Sequence, residues 1–245
     1  SKAAKQIIDT GLNCLGTTTT PEFGLTGTTE SLRFGATCNP WNPAYSTGGS
    51  SGGSSALVAA GVVPIAHAND GAGSIRIPAS CCGLVGLKAS RGRIKDKEVP
   101  SHLPANIFHD GVVTRSVRDT WAFHAEIEKN IPATEYPAIG NISESFPEKL
   151  KIAVLTENCL GENSSAELVQ TTHDVAKLCD SLGHNIEMIS NPFYRKFDED
   201  FWLLWAHFGF LIRYTGKEFS PKFDHTQLEQ WPKYLIARHW KNIHK

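Results

Sequence analysis

The order of strand-like and helix-like segments predicts an α/β fold. In the second half of the chain, a predicted strand at Lys151–Leu155 precedes a helix at Ser164–Leu182, and another strand follows at Asn185–Ile189. In the first half, a helix at Ser54–Ala60 precedes an apolar strand at Val62–Ala68. Alternating strands and helices favour helices packed on a sheet. Of the 245 residues, 40% are hydrophobic and 20% are charged, which is typical of a globular protein.

The N-terminal region is predicted to contain one helix followed by mostly irregular chain. Apolar residues at helical spacing predict a helix that ends at Gly11; they are Ala3, Ala4, Ile7 and Ile8. Leu12–Leu15 is expected to be a short buried strand. The Thr- and Gly-rich segment Thr17–Gly35 is expected to be irregular. Asn39–Ser46 is expected to be rich in turns, because each proline restricts the residue before it to extended conformations.

The next two elements flank a glycine-rich region. Small side chains allow the helix at Ser54–Ala60 to lie close to a neighbouring sheet. The continuous apolar run at Val62–Ala68 predicts a strand that is buried on both faces.

The remaining elements are helices and connections. Ser116, with Asp119 three residues later, predicts the start of a helix over Val117–Glu128, and Asn130–Phe146 reads as a surface connection. The helix at Ser164–Leu182 is predicted to end at Gly183 and to turn one apolar side inward, formed by Leu168, Val169, Val175, Ala176, Cys179 and Leu182. Asp198–Arg213 is crowded with aromatic residues and is predicted to be a helix with apolar residues on all sides, which favours core packing over the lining of a pocket.

Charge and composition exclude several classes of protein. The net charge of −1 provides no field that would recruit nucleic acid or an anionic membrane. The longest apolar run, Phe201–Ala206, is far shorter than the roughly 20 residues of a membrane helix. No secretory signal pattern follows Ser1. Six scattered cysteines favour a reducing compartment, and we therefore expect a cytoplasmic protein. The ten histidines lack zinc-site spacing, so we expect neither a metal nor a cofactor.

The stretch from Gly48 to Arg93 carries the chemistry. It contains ten of the 21 glycines, interrupted by apolar blocks that a flexible linker would lack. Gly48–Gly52 matches the G-x-S-x-G nucleophile elbow, but the residues before it are polar and include Pro43, whereas that motif needs an apolar strand. The stretch has no P-loop lysine and no dinucleotide-binding fingerprint.

The segment Asp70–Arg76 has the composition of an oxyanion hole. The backbone N–H groups of Gly71, Ala72, Gly73 and Ser74 can converge on one anionic oxygen, and the small side chains leave room for a carbonyl. Asp70 and Arg76 flank this segment and are predicted to hold it by an ion pair. The alternative is a tight glycine turn with an incidental serine.

Three pieces of this stretch together resemble the signature of the amidase signature family of serine hydrolases. The pieces are Gly48–Gly53, Asp70–Pro78 and Cys82–Lys88. The flanking segments Thr20–Gly24 and Thr114–Asp119 are also similar to that family. Within the family, Ala66–Ile94 resembles bacterial amidases such as the 6-aminohexanoate cyclic-dimer hydrolases.

The resemblance implies a fold and a set of site residues. It implies an α/β/α fold with a central mixed sheet covered by helices, present as a single domain over residues 1–245 that is incomplete at both ends. It implies that Ser74 is the acyl-forming nucleophile, that Ser50 is the bridging serine, and that the Gly49–Ser50 peptide bond is cis. Gly49 and Ser51 are expected to contact substrate beside the oxyanion segment.

The resemblance also places the catalytic lysine upstream of this chain, so Lys2, Lys5 and Lys88 are not assigned as the base. We therefore expect the isolated chain to hydrolyse amides very poorly. The expected partner is a small-molecule amide, linear or cyclic, with no nucleic acid and no membrane. A homodimer is the expected assembly.

Other interpretations stay open at this stage. One is a truncated, inactive amidase-like chain that serves as a binding or regulatory module. Another is a glutamyl-tRNA amidotransferase A-type subunit, which shares the same core. A Ser–His arrangement using His67 or His109 lacks supporting Asp/His spacing. Cys81 and Cys82 lie in an apolar setting that favours packing over nucleophilic use.

Overall fold

A computed structural model describes residues 2–94, 107–129, 136–140, 149–193 and 196–242. The α-helices in this part are α1 (Lys2–Asp9), α2 (Gly52–Ala59), α3 (Arg76–Cys81), α4 (Val117–Lys129), α5 (Ala166–Ser181), α6 (Phe197–Phe219) and α7 (Gln230–Asn242). The strands are β1 (Glu30–Ser31), β2 (Gly35–Ala36), β3 (Cys38–Asn39), β4 (Asn42–Ser46), β5 (Ile65–Asp70), β6 (Val85–Gly86), β7 (His109–Thr114), β8 (Lys151–Val154) and β9 (Asn185–Met188).

The chain divides into two compact units. The first comprises residues 1–142 with 226–232, and the second comprises residues 143–225 with 233–245. The mixed α/β class is confirmed, with the strands distributed among small sheets. The expectation of a single domain stays a prediction.

The first unit is built around an antiparallel sheet in which β7 lies between β5 and β6. Successive residues of β7 point to opposite faces of the sheet, and both faces are covered. Val113 belongs to a buried cluster with residues of α2, β5 and α3; its members are Val58, Ala68, Ile75, Ala79 and Val113. Val112 belongs to a second cluster with Phe123 and Ile127 of α4. Helices therefore cover both faces of this sheet.

The start of α4 follows the predicted capping pattern. The Ser116 hydroxyl accepts a hydrogen bond from the Asp119 backbone N–H at 3.1 Å. This bond satisfies one of the N–H groups that the first turn of a helix leaves without an intrahelical partner.

The second unit contains the predicted strand–helix–strand element. β8 and β9 pair in parallel, from Lys151 opposite Asn185 to Val154 opposite Met188, and α5 connects them. The Ser165 hydroxyl caps α5 by accepting from the Leu168 N–H. In the same unit, α6 crosses α7 closely, because a methyl group at Gly209 would lie 2.6 Å from Cβ of Leu235.

The structure corrects several expected elements. Leu12–Leu15 is not a strand, and Leu15 is 81% exposed. Asn39–Ser46 contributes to an antiparallel hairpin of β3 and β4, with Pro43 on a strand that pairs on one side only. The apolar run after α2 becomes a strand only from Ile65, after Pro64, and Val62 is exposed.

The helices also differ from the expectations. The predicted inward side of α5 is largely exposed, since Leu168, Val175 and Leu182 are exposed and only Ala176 of that set is buried. Helix α6 extends beyond the predicted Arg213 to Phe219, and α7 was not predicted at all.

Candidate active site

The first loop of the site runs from Thr47 to Ser51 and ends at α2. The Gly49–Ser50 peptide bond is cis, which confirms the expectation from the resemblance. A side chain at Gly49 is excluded, because a methyl group there would lie 2.5 Å from the carbonyl oxygen of Thr28. Glycine at this position therefore allows two stretches of backbone to lie in direct contact.

The side chain of Thr29 fixes this loop by hydrogen bonds to its backbone. The Thr29 hydroxyl donates to the Gly48 carbonyl at 2.9 Å and accepts from the Gly52 N–H at 3.1 Å. Both Thr29 and Thr47 are buried, and the Thr47 hydroxyl also donates to the Gly48 carbonyl, at 3.0 Å. The sequence interpretation missed these threonines; the only available signal was their density before the glycine-rich region.

The second loop of the site is organised by the carboxylate of Asp70 at the end of β5. This side chain is fully buried. Its oxygens accept from the backbone N–H groups of Gly73 at 2.7 Å and Ile75 at 3.3 Å. They also accept two bonds from the Arg76 guanidinium, from Nε at 2.9 Å and Nη2 at 3.0 Å. The predicted Asp70–Arg76 ion pair is thereby confirmed.

These bonds keep the carboxylate ionised in spite of its burial. Burial of Asp70 alone would raise its pKa. The hydrogen bonds from Arg76, Gly73 and Ile75 and the charge of Arg76 outweigh burial, so the pKa of Asp70 lies below its usual value. The loop is thus built around a buried negative charge.

The backbone amides of this loop point in two directions. The N–H of Gly73 faces Asp70, where the sequence interpretation had it facing the substrate. Gly73 has φ +122°, a conformation that side-chain-bearing residues rarely adopt, and this allows the turn. The N–H groups of Gly71, Ala72 and Ser74 make no hydrogen bond within the described residues. These three amides remain as candidate donors to an oxyanion.

Two contacts bring the loops together. The hydroxyl of Ser51 donates to the Asn69 carbonyl at 3.3 Å and accepts from the Asn69 N–H at 3.2 Å. The side chain of Ile77 lies between the loops, since methyl groups at Gly48 and Gly73 would meet it at 3.0 and 2.7 Å. Ser51 therefore joins the loops instead of having its hydroxyl free for substrate.

Ser50 and Ser74 are both nearly buried, each with 8% of its surface exposed. Neither hydroxyl makes a hydrogen bond within the described residues, and none joins the two serines. Catalytic hydrogen bonds are often long in the absence of substrate and tighten when it binds. The structure thus shows one nearly buried serine on each loop, and in the described part of the chain it shows no hydrogen-bonded relay between them.

The histidines near the site do not form a Ser–His pair in the described residues. The ring Nε2 of His67 lies 2.8 Å from Oδ1 of Asp110, which also accepts from Asn69 at 3.2 Å. Ser54 donates to the His67 backbone carbonyl and not to the ring. This His–Asp pair across β5 and β7 was not predicted, because Asp110 lies 43 positions from His67.

Of the two neighbouring cysteines, Cys82 is packed in the core as predicted, and Cys81 is not. Cys82 is fully buried, and burial, with a smaller contribution from Cys81, raises the pKa of its thiol to about 11. Such a thiol is not a nucleophile near neutral pH. Cys81 is exposed.

His109 lies on β7 directly opposite Asp70, the last residue of β5. It is fully buried, and neither ring nitrogen has a hydrogen-bond partner in the part of the chain that the structure describes. Burial, with smaller contributions from the positive charge of Lys88 and from His124, lowers the pKa of His109 to about 4. A neutral imidazole is thus buried next to the strand that carries Asp70.

This burial predicts a loss of stability in mild acid. The folded-state pKa of about 4 lies below the value of about 6.5 for an unfolded histidine, so the unfolded state binds the proton more tightly. The contribution of His109 is complete above pH 6.5 and is lost as the pH falls toward 4, by up to about 3 kcal/mol. Urea unfolding at several pH values would measure it. His109→Phe should reduce this dependence, and the buried His124, whose pKa is also lowered by burial, should account for part of what remains.

Among the described residues, no group of three or more His, Cys, Asp or Glu side chains could hold a metal ion. In the same part of the chain, no helix is long and apolar enough to cross a membrane.

Comparison with known proteins identifies relatives of the whole chain. A family model described as Amidase matches residues 1–243. AmiC of Mycobacterium tuberculosis is 44% identical, over 100% of this chain and 52% of that protein. The 6-aminohexanoate-cyclic-dimer hydrolase of Paenarthrobacter ureafaciens is 43% identical, over 72% of this chain and 38% of that protein.

Solved structures agree with these relatives. The structure of 6-aminohexanoate cyclic dimer hydrolase complexed with substrate superposes with a TM-score of 0.84 at 33% identity, over 98% of this chain and 52% of that chain. A bacterial aryl acylamidase of the amidase signature family gives a TM-score of 0.78 at 26% identity. The chain spans about half the length of the curated relatives that match it over its full length.

Proposed function

The chain belongs to the amidase family, and from this premise we propose that its site hydrolyses amide bonds through an acyl-enzyme at Ser74. One observation carries the proposal: the buried Asp70 carboxylate turns the Gly73 and Ile75 amides inward, while the amides of Gly71, Ala72 and Ser74 keep no acceptor within the described residues. Three unpaired N–H groups beside a serine suit the anionic oxygen of a tetrahedral intermediate.

The proposed reaction begins with attack of Ser74 Oγ on the amide carbonyl carbon. A serine hydroxyl is a weak nucleophile until its proton is removed. Ser50 takes that proton and passes its own to a base. The carbonyl oxygen becomes negative and accepts hydrogen bonds from Gly71, Ala72 and Ser74 N–H. Breaking of the C–N bond, with a proton returned through Ser50, releases the amine and leaves an ester on Ser74.

The second half of the reaction repeats these roles with water as the nucleophile. Water attacks the ester carbonyl, the same amides bind the oxyanion, and Ser74 leaves with its proton restored. The base is a lysine in proteins of this family, as the resemblance implies. Lys5 binds Asp9 on the exposed surface of α1, and Lys88 donates to the Ala89 carbonyl, so neither takes that role here.

The substrate class follows from the family and from the relatives. A relative whose name specifies a cyclic dimer of 6-aminohexanoate supports a small-molecule amide, linear or cyclic. The homodimer remains a prediction.

A second function is favoured by a specific observation. No hydrogen bond joins Ser50 to Ser74, and no base contacts Ser50 among the described residues. An amidase-like binding module that lacks turnover would look the same. In that case the site would bind amides without acylation of Ser74.

A fluorophosphonate probe distinguishes the two functions, because it reacts with activated serines without requiring the true substrate. The protein, purified as its own gene encodes it, is treated with the probe, and the modified peptide is mapped by mass spectrometry. We expect a single label on Ser74 and none in Ser74→Ala. Ser80→Ala, an exposed serine on α3, is the matched control and should be labelled like the wild type. An unlabelled wild type that still binds amides would favour the binding module.

A further inference from the structure

We propose that Glu229 and Trp231 are positioning residues that hold the loop at residues 22–25 against the hydroxyl of Ser50. The catalytic consequence rests on the proposed function, whereas the contacts themselves do not. The two residues are separated from Ser50 by about 180 positions, and they lie in the same compact unit as the site.

The loop at residues 22–25 has an unusual backbone. Phe23 has φ +54° and ψ +12°, and among the described residues it alone, glycines excepted, has a positive φ. A left-handed conformation is disfavoured for a bulky L-residue, because Cβ crowds the following carbonyl. The next residue, Gly24, also has a positive φ, of +68°. Such a conformation persists only when surrounding contacts enforce it.

This backbone lies directly beside the bridging serine. A methyl group at Gly24 would be 3.3 Å from Oγ of Ser50 and 3.8 Å from its Cβ. The loop therefore limits the positions that the Ser50 hydroxyl can take. A relay hydroxyl needs such limits, because it must align with a donor on one side and an acceptor on the other.

Hydrogen bonds from the 229–231 segment hold the loop on both sides of Phe23. The Glu229 backbone N–H donates to Oε2 of Glu22 at 2.7 Å, and the Trp231 indole N–H donates to the Leu25 carbonyl at 2.9 Å. The Glu229 carboxylate in turn accepts from the Leu32 N–H at 2.7 Å. These contacts enforce the strained turn from outside it.

Loss of one hydrogen bond between the 229–231 segment and the loop should slow the chemical step, and it should change the affinity for the ligand much less. Glu229 and Trp231 contact the loop and not the oxyanion segment. When the Leu25 carbonyl loses the hydrogen bond from the Trp231 indole, Phe23 can relax toward negative φ and Gly24 can move away from Ser50. The hydroxyl then samples more orientations, and fewer of them transfer a proton.

The variant Trp231→Phe tests this, because it removes the indole N–H and keeps an aromatic ring. In fluorophosphonate labelling of the protein as its gene encodes it, Ser74 Oγ attacks phosphorus and fluoride leaves, a step that stands in for acylation by an amide. We expect the limiting rate of this step to fall about tenfold, with the probe's half-saturating concentration within twofold. Trp121→Phe is the matched control: it loses an equivalent indole bond, to the Gly140 carbonyl at 3.0 Å, and should acylate at the wild-type rate.

The carboxylate of Glu229 offers a rescue experiment. Glu229→Ala removes the acceptor for the Leu32 N–H and should slow acylation. Glu229→Gln keeps an amide oxygen that can accept the same bond, and it should restore most of the rate. A purely electrostatic role of Glu229 would instead make the Ala and Gln variants equally slow, and that result would overturn the inference.

Hydrogen exchange separates failure of this inference from failure of the proposed function. The amides of Gly24 and Leu25 donate to the carbonyls of Pro21 and Glu22 within the loop. Trp231→Phe should accelerate exchange in the peptide that contains them, whether or not Ser74 is reactive. Unchanged exchange, or acylation at the wild-type rate in a labelled protein, contradicts the inference. An unlabelled wild type contradicts the proposed function alone, and the exchange result then decides the inference.

Discussion

Replacement of Ser50 by alanine is expected to slow acylation of Ser74 about a thousandfold without unfolding the protein. The nucleophile, the oxyanion amides and the loops stay in place, and only the group that accepts the proton of Ser74 is lost. Transfer of a proton by a positioned side chain typically contributes 10²- to 10⁴-fold, from which this magnitude is taken as about 10³. The second-order rate constant of fluorophosphonate inactivation, with labelling mapped to Ser74, measures the effect without knowledge of the substrate.

The matched control is Ser55→Ala on α2. Ser55 is fully buried, and its hydroxyl has no hydrogen-bond partner among the described residues. Its removal takes away an unsatisfied polar atom, so stability and acylation rate should both be nearly unchanged. If Ser50→Ala is labelled as fast as Ser55→Ala, then Ser50 is not the relay and the proton of Ser74 leaves by another route.

The sequence predicted which residues of the site interact better than it predicted the direction in which the backbone amides of the loop point. The ion pair of Asp70 with Arg76 was predicted from a short segment of chain, and the cis bond before Ser50 was implied by the family resemblance; both are confirmed. The direction of the Gly73 amide did not follow, because it depends on where the Asp70 carboxylate turns. The glycine content predicts that the backbone can form a turn, but it does not predict which group the amides of that turn will face.

The central strand of the first unit illustrates what periodicity misses. β7 is buried along its whole length, but it begins with His109 and Asp110 and continues with a glycine. Such residues do not read as a buried strand, since charged and titratable side chains are seldom inside unless they are paired. Asp110 is accommodated by His67 and Asn69, which lie on another strand. Long-range pairing of this kind leaves no local pattern.

The apolar side of α5 was predicted to be buried, but it is largely exposed. The spacing of Leu168, Val175 and Leu182 is typical of a helix face turned toward a core, but all three are more than half exposed in this structure. Periodicity reports that a helix is amphipathic and does not report which surface covers its apolar side. The helix itself was predicted within two residues at each end, as Ser164–Leu182 against the observed Ala166–Ser181, and Gly183 follows it with a positive φ.

Replacement of Asp70 by asparagine should destabilise the protein by about 3 kcal/mol, because an amide cannot replace all the bonds of a buried carboxylate. The carboxylate accepts from two backbone amides and twice from Arg76. Asparagine has one oxygen to accept these bonds and presents an NH₂ group to the remaining donors. Breaking a buried ion pair typically costs 3–5 kcal/mol, and the half-exposed Arg76 favours the lower end, about 3 kcal/mol, since water can solvate it.

The same variant should lose acylation of Ser74, because the Gly73 and Ile75 amides lose the group that turns them inward. Urea unfolding and fluorophosphonate labelling measure the two effects, and Asp174→Asn, in an exposed pair with Lys177, is the control with little expected change. If Asp70→Asn does not fold, Arg76→Gln keeps the carboxylate and its two amide bonds and should show a smaller loss of both properties. Wild-type stability and labelling in either Asp70→Asn or Arg76→Gln would mean that the ion pair does not shape the loop. The lowered pKa of Asp70 gives an independent check on its role. The contribution of the ionised carboxylate to the free energy of unfolding is complete above the unfolded pKa of Asp70, and it is lost only when the pH falls through the lowered folded pKa. That loss lies below the pH window in which His109 titrates.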